Sequence, residues 1–569
     1  MRNRFLICCL MVFVTSIFTL RYATFPEIYL FATDPFQSPI ERLLTAPIHL
    51  SDDIMISLRT GYIFNETGIP AFNRIDLAQP STSYLIPYIY AALIKIMPNN
   101  IATIAFAGLG FLSVLIVFAT LIVTTKSLSN GLLLVAALSL TATHAGYALN
   151  GWDHLFQSAF LSVGTALVLK SKNSVSTYLA AATCLALGTF ARPDGIIISC
   201  FLMLSAYLLK QSRLRVSLLL VLPFIALIAA GLAINFLQFS EFTPTTARLK
   251  IGASPSITYA TTYLLENSVL SFSAITLMIL FLVLYVTQRH LWCNRALLPV
   301  VFGCSLVSLF AAFNSDVFEG GRMFWSSACV MAVALTGSAP KLVNLKLENL
   351  KNITSFGQEY KKISFFSKRS AKFYVLSFLI IFTLSNVFSI SEKVNNSLVR
   401  ENSYNPSSTA QIYRIVKWIE KNLNNNDGAV GMYYVGVGYH LPGFEVADFG
   451  GKADELIARS PVRWGPPGHN KWDTDKTLAK WNLQVIIPAA NSDPSDKDAM
   501  QRAKFNLENK INSYGFIPDL MLNKKVAESF AYCYLKHRKT IKSEDKWGFF
   551  LRRNLVSKHI KDLSCVLNS

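Results

Sequence analysis

Residues 101–125 read IATIAFAGLGFLSVLIVFATLIVTT and contain no charged side chain. A second apolar run, 215–238 (RVSLLLVLPFIALIAAGLAINFLQ), has a single charged residue at its first position. Each run is long enough for a helix to cross a hydrocarbon core of ~30 Å. The rest of the chain is similar, because 52% of its 569 residues are hydrophobic and only 15% are charged. The sequence therefore predicts a mostly α-helical polytopic membrane protein.

Apolar segments of this kind predict about eleven membrane spans. The N-terminal segment is interpreted as an uncleaved first span, because no A-x-A-like cleavage site follows it. The predicted spans are 5–23, 101–125, 130–149, 155–170, 175–190, 194–210, 215–238, 266–287, 297–313, 323–338 and 373–390.

Basic segments between the spans predict the orientation of the chain. Lys and Arg are concentrated in 171–173, 210–215, 287–295 and 341–372, and loops of this kind stay in the cytoplasm. The first loop, 24–82, and everything after 391 then lie outside. The net charge of +19 is interpreted as a signal for topology and for contact with anionic membrane lipid. It is not interpreted as nucleic-acid binding, because no basic patch is interleaved with stacking aromatic residues.

One apolar segment, 83–97 (SYLIPYIYAALIKIM), does not fit this alternation of sides. It has 15 residues and contains Pro87 and Lys95, which favours a half-inserted or interfacial helix over a full span. The alternative is that 101–125 or 130–149 does not cross the membrane.

The tail, 392–569, predicts a soluble α/β domain on the outer side, joined by a linker at 392–407 to the membrane part, 1–391. Short β-like runs alternate with a helical pattern. Cys533 and Cys565 are the only cysteines in this hydrophilic part, and they could form a disulfide in an oxidising compartment. The runs are AVGMYYVGVGYHL (429–441), NLQVIIPA (482–489) and WGFFLRRN (547–554), and the helical pattern is STAQIYRIVKWIEKNL (408–423).

Ionisable residues recur on the predicted outer side, where charges at a membrane boundary tend to mark function. Carboxylates can take a proton from an acceptor hydroxyl, and Arg or Lys can hold a phosphate leaving group. A sugar linked to a lipid phosphate would present that phosphate at this depth. The candidates are Asp52 and Asp53, Asp153 and His154, Arg192 and Asp194, Lys250, and Arg322.

Eight short motifs, in order along the chain, resemble those of GT-C glycosyltransferases, and more narrowly those of the mycobacterial terminal arabinofuranosyltransferase-like branch. DDIMISLRTGYIFNETGIPAFN (52–73) is similar to the first-loop pattern Asp-Asp-x-x-Ile-x-x-Arg followed by Gly and Phe-Asn. VADFGGKADELIAR (446–459) is similar to Asp-x-x-Gly-Leu-x-Asp. The other motifs are STSYLIP (81–87), NGWDHLF (150–156), ARPDG (191–195), EFTPTTARLK (241–250) with GGRMF (320–324), and PPGHNKWDTD (466–475).

The resemblance implies a GT-C-like helix bundle that catalyses inverting transfer from a polyprenyl-phosphate sugar at the outer face of the bacterial inner membrane. It implies that Asp53 is the general base and that Asp52 orients the acceptor or tunes its neighbour. Asp153, with His154 beside it, would lie near the sugar. Arg192, Lys250 and Arg322 become candidates for the donor phosphate, and Arg59 for substrate binding. His469 and Lys471 could bind acceptor, or have a structural role only.

The acceptor under this hypothesis is an envelope glycan, lipopolysaccharide or a protein. Asp153 and Asp194 stand where Glu is usual, so the identity of the sugar is not carried over. No metal ligands are assigned, although some GT-C enzymes use a divalent metal. The alternatives are an O-antigen ligase or polymerase, and a flippase or transporter of lipid-linked glycans. A flippase would show charges on broken helices at the bilayer midplane and an inverted repeat, and the sequence shows neither.

Overall fold

The computed structural model describes part of the chain. The described residues are 52–124, 153–170, 174–209, 212–250, 292–313, 325–334, 408–433, 435–464, 468–488, 494, 496–509, 516–536, 548–559 and 561–566. The predicted spans 5–23, 130–149, 266–287 and 373–390 lie outside these residues.

The chain forms two compact units. We call the first the helical unit, and it comprises Met1–Ala23, Ala107–Gly231 and Ser256–Arg400. We call the second the α/β unit, and it comprises Thr24–Phe106, Leu232–Pro255 and Glu401–Ser569. The predicted linker at 392–407 lies outside the described residues, and the domain boundary stays a prediction. The α/β unit also takes in the first loop and the segment around 241–250, which the sequence placed with the membrane part.

Apolar helices form most of the described chain before residue 335, and they coincide with the predicted spans that lie there. Two of them, Ile101–Thr124 and Arg213–Phe239, are long and apolar enough to cross a membrane. The remaining apolar helices are shorter. In chain order the helices are α1 (Asp52–Thr67), α2 (Ile86–Ile96), α3 (Asn99–Thr124), α4 (Asp153–Lys170), α5 (Val175–Ala191), α6 (Gly195–Leu209), α7 (Arg213–Phe239, with a π-helical turn at Ser217–Val221), α8 (Thr245–Lys250), α9 (Trp292–Phe313) and α10 (Trp325–Ala334).

Glycines let the helices of the helical unit approach one another closely. A Cβ added at Gly188 of α5 would lie 2.8 Å from Leu161 Cδ2 of α4. On α9, a Cβ at Gly303 would lie 2.7 Å from the Phe201 ring of α6. Small residues at helix contacts are typical of helices that pack in lipid, where association depends on close van der Waals packing.

The segment 83–97 forms only the short helix α2 of the α/β unit. Pro87 lies in its first turn, where the missing N–H leaves no gap in the helical hydrogen bonding. Eleven residues span about 16 Å at 1.5 Å per residue, about half of a hydrocarbon core. The length agrees with the preferred interpretation, and the interfacial position itself stays a prediction.

A six-stranded mixed sheet forms the centre of the α/β unit, which confirms the predicted α/β character of the tail. The strand order is β2-β1-β3-β5-β4-β6. The pairs β1–β2 and β1–β3 are parallel, and the remaining three pairs are antiparallel. The strands are β1 (Ala429–Met432), β2 (Val446–Asp448), β3 (Leu483–Ile487), β4 (Phe530–Leu535), β5 (Phe549–Arg552) and β6 (Leu563–Val566).

Short helices complete the tail. The first, α11, covers the helical pattern identified in the sequence. They are α11 (Ser408–Asn422), α12 (Glu455–Ala458), α13 (Thr474–Lys480), α14 (Lys497–Asn509), α15 (Phe516–Leu522), α16 (Lys524–Ser529) and α17 (Arg553–His559), with 3₁₀ turns at Asn425–Asp427 and Val435–His440.

Residues of the first loop are part of the core of the α/β unit. Ile56 of α1 and Phe72 belong to the same buried cluster as Ile415 and Ile419 of α11. A second cluster includes Trp472 and other aromatic side chains. Burying Ile56 and Phe72 contributes about 1.5–3 kcal/mol each at ordinary transfer energies. This burial fixes α1, and with it Asp53 at its start, within the core of the α/β unit.

Cys533 and Cys565 form a disulfide between β4 and β6, where they are directly paired across the two strands. The structure thus contains the cross-link that the sequence left open. It ties the last strand to the sheet close to the end of the described chain.

Candidate functional site

The Asp52–Asp53 pair opens helix α1. The side chains that follow in its first two turns include Ile54, Ile56 and Leu58, which are buried. The Asp53 side chain remains about one-third exposed. The N-terminal end of a helix favours negative charge, because its first N–H groups point toward it. The hydroxyl of Ser57 lies 2.8 Å from that of Ser81, which joins this helix to the start of the STSYLIP motif. The structure thus presents Asp53 on a fixed element with solvent access.

A lysine that the sequence analysis did not select lies against Asp53. Lys452 Nζ is 3.4 Å from Asp53 Oδ1, and the Lys452 side chain is only 12% exposed. The loop that carries Lys452 follows β2 within the motif VADFGGKADELIAR. The sequence held one signal for Lys452, because this lysine stands where the GT-C motif Asp-x-x-Gly-Leu-x-Asp has Leu.

The Asp448 carboxylate organises this loop. It accepts hydrogen bonds from the backbone N–H of Gly450 at 2.8 Å and of Ala453 at 2.5 Å. Burial raises the pKa of Asp448 to about 7, although these two hydrogen bonds oppose the shift. Gly451 has a φ of +76°, in the left-handed region that favours glycine. The next carboxylate, Asp454, caps α12 through the N–H groups of Leu456 and Ile457.

Arg59 has a structural environment instead of an open binding site. Its side chain is fully buried, and all five N–H donors of the guanidinium are engaged. Nε donates to the Phe72 carbonyl at 2.9 Å. Nη1 donates to the carbonyls of Gly438 and Leu441. Nη2 donates to the Phe444 carbonyl and to Asn73 Oδ1. Burial lowers the pKa of Arg59 to about 9.

These contacts leave no N–H of Arg59 for a substrate. The structure therefore favours a structural role over the substrate-binding role that the resemblance implied. Arg59 joins α1, the first loop and the turn at 435–444 in one hydrogen-bonded hub.

The motif EFTPTTARLK packs against α12 in the same unit. Thr245 Oγ1 donates to Glu455 Oε2 at 2.9 Å, and Arg248 forms ion pairs with Glu455 and Glu241. The backbone N–H of Thr245 donates to the Gln79 carbonyl at 2.8 Å. Lys250, the candidate phosphate ligand, is the last residue of α8. Its role stays a prediction.

The two candidates from PPGHNKWDTD lie in different surroundings. Lys471 is buried, and its amine donates to the carbonyls of Ala458 at 2.8 Å and Arg248 at 3.1 Å. Burial lowers its pKa. These contacts agree with the structural alternative for Lys471, because the amine joins the ends of α8 and α12. His469 is half-buried, and its role in acceptor binding stays a prediction.

In the helical unit, Asp153 and Arg192 form a buried ion pair. Arg192 Nη1 lies 3.0 Å from Asp153 Oδ1 and 3.1 Å from Oδ2. Its Nε lies 3.4 Å from Asp194 Oδ1, and Gln157 Nε2 donates to the same oxygen at 2.7 Å. The motifs NGWDHLF and ARPDG therefore meet. The roles of these residues in substrate binding stay predictions.

Serines of α10 extend this polar cluster. Ser326 Oγ donates to Gln157 Oε1 at 2.6 Å and to the His154 carbonyl at 3.2 Å. His154 itself is buried, and its backbone N–H donates to Asp153 Oδ1 at 2.8 Å. Arg322 lies outside the described residues, so its role as a phosphate ligand stays a prediction.

The described residues contain no group of three or more His, Cys, Asp or Glu side chains placed to hold a metal ion. Five of the eight motif regions contribute described residues to the α/β unit, namely those at 52–73, 81–87, 241–250, 446–459 and 466–475. Long-range folding thus assembles segments that are far apart in the chain.

No family model matches the chain, and no curated protein matches it. Several solved structures do resemble it. The archaeal oligosaccharyltransferase AglB from Archaeoglobus fulgidus, in complex with an inhibitory peptide and a dolichol-phosphate, matches with a TM-score of 0.49 and 10% identity, over 94% of this chain and 73% of that chain. The apo form of the Archaeoglobus fulgidus oligosaccharyltransferase gives a TM-score of 0.48 and 11% identity, over 94% and 74%.

The Archaeoglobus fulgidus enzyme tethered to an acceptor peptide with the NVT sequon gives a TM-score of 0.46 and 11% identity, over 94% and 73%. At such TM-scores and identities the likeness decides neither the fold nor the activity of this chain. The narrower resemblance to the arabinofuranosyltransferase-like branch stays a prediction.

Proposed function

We propose that this chain is an integral-membrane glycosyltransferase. It moves a sugar from a polyprenyl-phosphate donor to an envelope glycan, lipopolysaccharide or protein acceptor. The observation that carries the proposal is the position of Asp53. This carboxylate opens a buried helix, retains solvent access, and shares a compact unit with most of the motifs that resemble GT-C enzymes.

In the proposed reaction, Asp53 acts as general base. The acceptor hydroxyl gives its proton to the Asp53 carboxylate, and its oxygen forms a bond to the anomeric carbon of the donor sugar. The bond between that carbon and the phosphate oxygen breaks, and polyprenyl phosphate leaves with the bonding electrons. Attack from the face opposite the phosphate inverts the anomeric configuration. General-base catalysis of this kind contributes about 10²–10⁴-fold in rate.

The other candidates divide between sugar and phosphate. We propose that Asp153 lies near the sugar. Arg192, Lys250 and Arg322 are the candidates for the donor phosphate, which attracts cationic side chains. Asp52 is proposed to orient the acceptor or to tune Asp53.

The proposed location is the bacterial inner membrane, with the α/β unit on the periplasmic side. The Cys533–Cys565 disulfide supports this orientation, because disulfides persist in oxidising compartments and are rare in the cytosol. The basic segments predicted to be cytoplasmic support the same orientation.

Mass spectrometry of envelope glycans tests the proposal in cells. Cells that lack the protein should lose one sugar from an envelope glycan or glycoprotein, and the wild-type chain should restore it. The Asp53→Asn chain should be produced at normal levels and should fail to restore the sugar. Asp427→Asn is the matched control, because Asp427 is an exposed carboxylate of the same unit.

An unchanged glycan profile in cells without the protein would contradict the proposed function. Loss of whole glycans with accumulation of lipid-linked precursor would instead favour the flippase alternative. Loss restricted to complete O-antigen chains would favour the ligase or polymerase alternative.

A further inference from the structure

We propose that Lys452 is a positioning residue for Asp53, which it holds in the ionised form and in a fixed orientation. This inference rests on the proposed function of Asp53 as general base. It assigns to the tail of the chain a direct part in the first-loop site.

The pair is close and partly shielded from water. The 3.4 Å separation between Lys452 Nζ and Asp53 Oδ1 is within ion-pair distance, and the side chains are 12% and 33% exposed. Charges in such surroundings are screened less by salt than charges on an open surface. An opposite charge at this distance favours the ionised form of a carboxylate.

The backbone on both sides of Lys452 is fixed by carboxylates. Asp448, 1% exposed, binds the N–H groups on either side of the Gly451–Lys452 turn. Asp454, also 1% exposed, caps α12 and accepts from Lys480 Nζ at 2.9 Å. A Cβ at Gly451 would lie 2.8 Å from Ile457 Cγ2, so the turn is packed as well as hydrogen-bonded. Lys452 is therefore presented by a rigid support.

The residue type at this position is a second argument. The resembling motif has Leu where this chain has Lys452, and leucine cannot pair with a carboxylate. A lysine at a largely buried position loses hydration, which costs free energy unless a partner compensates. Asp53 is such a partner, and it is the carboxylate to which the reaction assigns a proton.

The proposed role needs no transfer of a proton from Lys452. The ammonium remains charged while Asp53 takes the acceptor proton, and the proton leaves Asp53 when product departs. Lys452 acts on the geometry and charge of the base and does not touch the reacting atoms.

The experiment compares Lys452→Met and Lys452→Arg with the wild-type chain in a transfer assay that uses a polyprenyl-phosphate sugar and an acceptor. Lys452→Met should lower kcat about tenfold to a hundredfold, the scale of a displaced catalytic group, and should leave the KM for the donor within about twofold. Lys452→Arg should restore most of kcat, because it keeps the charge. Lys417→Met is the control, since it breaks an exposed pair with Glu420 on α11.

A second measurement does not depend on turnover. Thermal unfolding of Asp53→Asn, Lys452→Met and the double variant forms a cycle that reports the coupling of the pair. The midpoint shift of the double variant should differ by about 2 °C from the sum of the two single-variant shifts. This is the size expected for a partly buried ion pair in a large chain. Additive shifts together with normal kcat in Lys452→Met would refute the positioning role.

The two proposals fail differently. If Asp53→Asn is inactive while Lys452→Met has the wild-type kcat, the positioning role is wrong and the proposed function stands. If Asp53→Asn keeps its turnover, the general-base assignment is wrong, and the positioning role falls with it.

Discussion

Replacing Arg59 by methionine should loosen the α/β unit. Methionine has a similar length but no donor, so the hub of α1, the first loop and the turn at 435–444 loses the five hydrogen bonds that the Arg59 side chain donates. The acceptors do not lose equally. The carbonyls of Gly438 and Leu441 each keep a backbone donor at 3.0 Å, from Leu441 and Phe444 respectively.

The Phe72 and Phe444 carbonyls determine the magnitude. Within the described chain, Arg59 is the donor to each of these oxygens. A buried carbonyl without a partner costs about 1–3 kcal/mol. Two of them give about 2–6 kcal/mol of lost stability. Asn73 Oδ1 adds little, because it still accepts from the Val446 N–H at 2.9 Å.

Hydrogen exchange and thermal unfolding of the detergent-solubilised chain measure this effect. Amides at 435–446 should exchange faster in Arg59→Met, and the thermal midpoint should fall. Arg459→Met is the control, because Arg459 is 57% exposed and its loss should change neither readout. If Arg59→Met shows the exchange pattern and midpoint of this control, the hydrogen bonds of Arg59 do not stabilise the α/β unit.

Three further perturbations test the structure of the α/β unit. Burial raises the pKa of Asp448 from the ordinary 3.8 to about 7. As the pH rises, the Asp448 carboxyl therefore loses its proton in the unfolded chain before it does so in the folded chain. The free energy of unfolding that the protonated carboxyl contributes at pH 4 should be lost by about pH 7. Thermal midpoints across this range should fall in the wild-type chain relative to Asp448→Asn, and parallel curves would contradict the assignment. Cys533→Ser removes the Cys533–Cys565 disulfide, whose cysteines have a sequence separation of 32. The loss should lower the free energy of unfolding, measured with denaturant, by about 3–4 kcal/mol. Equal stability of the wild-type chain with and without reductant would argue against the disulfide. Gly61→Ala places a Cβ 2.5 Å from the Pro87 carbonyl and should cost about 1–3 kcal/mol, whereas an unchanged midpoint would mean that α1 and α2 pack less closely.

The sequence predicted the elements with strong local patterns. The apolar runs coincide with helices where the structure describes them, and the β-like runs at 429–441, 482–489 and 547–554 contain β1, β3 and β5. Alternation and apolar length act over a few neighbouring residues, so a single sequence displays them. The membership of the first loop in the α/β unit depends on contacts between residues more than 350 positions apart, such as Arg59 with Gly438. No local pattern reports such contacts.

The environment of Arg59 could be predicted only in part. Arg59 lies in the first-loop motif, about two turns beyond the Asp52–Asp53 pair, and substrate binding was the role predicted for it. The spacing of the apolar residues around Arg59 indicates burial. Ile56, Arg59 and Ile63 share one face of α1, and both isoleucines are buried. An arginine on a buried face needs internal partners. Backbone carbonyls from another part of the chain supply them, and these were not visible in the sequence.

Transfer by the purified chain tests whether Asp53 is the general base of a glycosyltransferase. The measurement follows a radiolabelled sugar from a polyprenyl-phosphate donor to an envelope-glycan acceptor, with wild-type and Asp53→Asn chains assayed well below the thermal midpoint of each. We expect transfer with inversion by the wild-type chain and at least a hundredfold lower rate for Asp53→Asn, which is the order of magnitude of a lost general base. Equal rates for the two chains, or no transfer by a folded wild-type chain from any polyprenyl-phosphate sugar, would contradict this expectation.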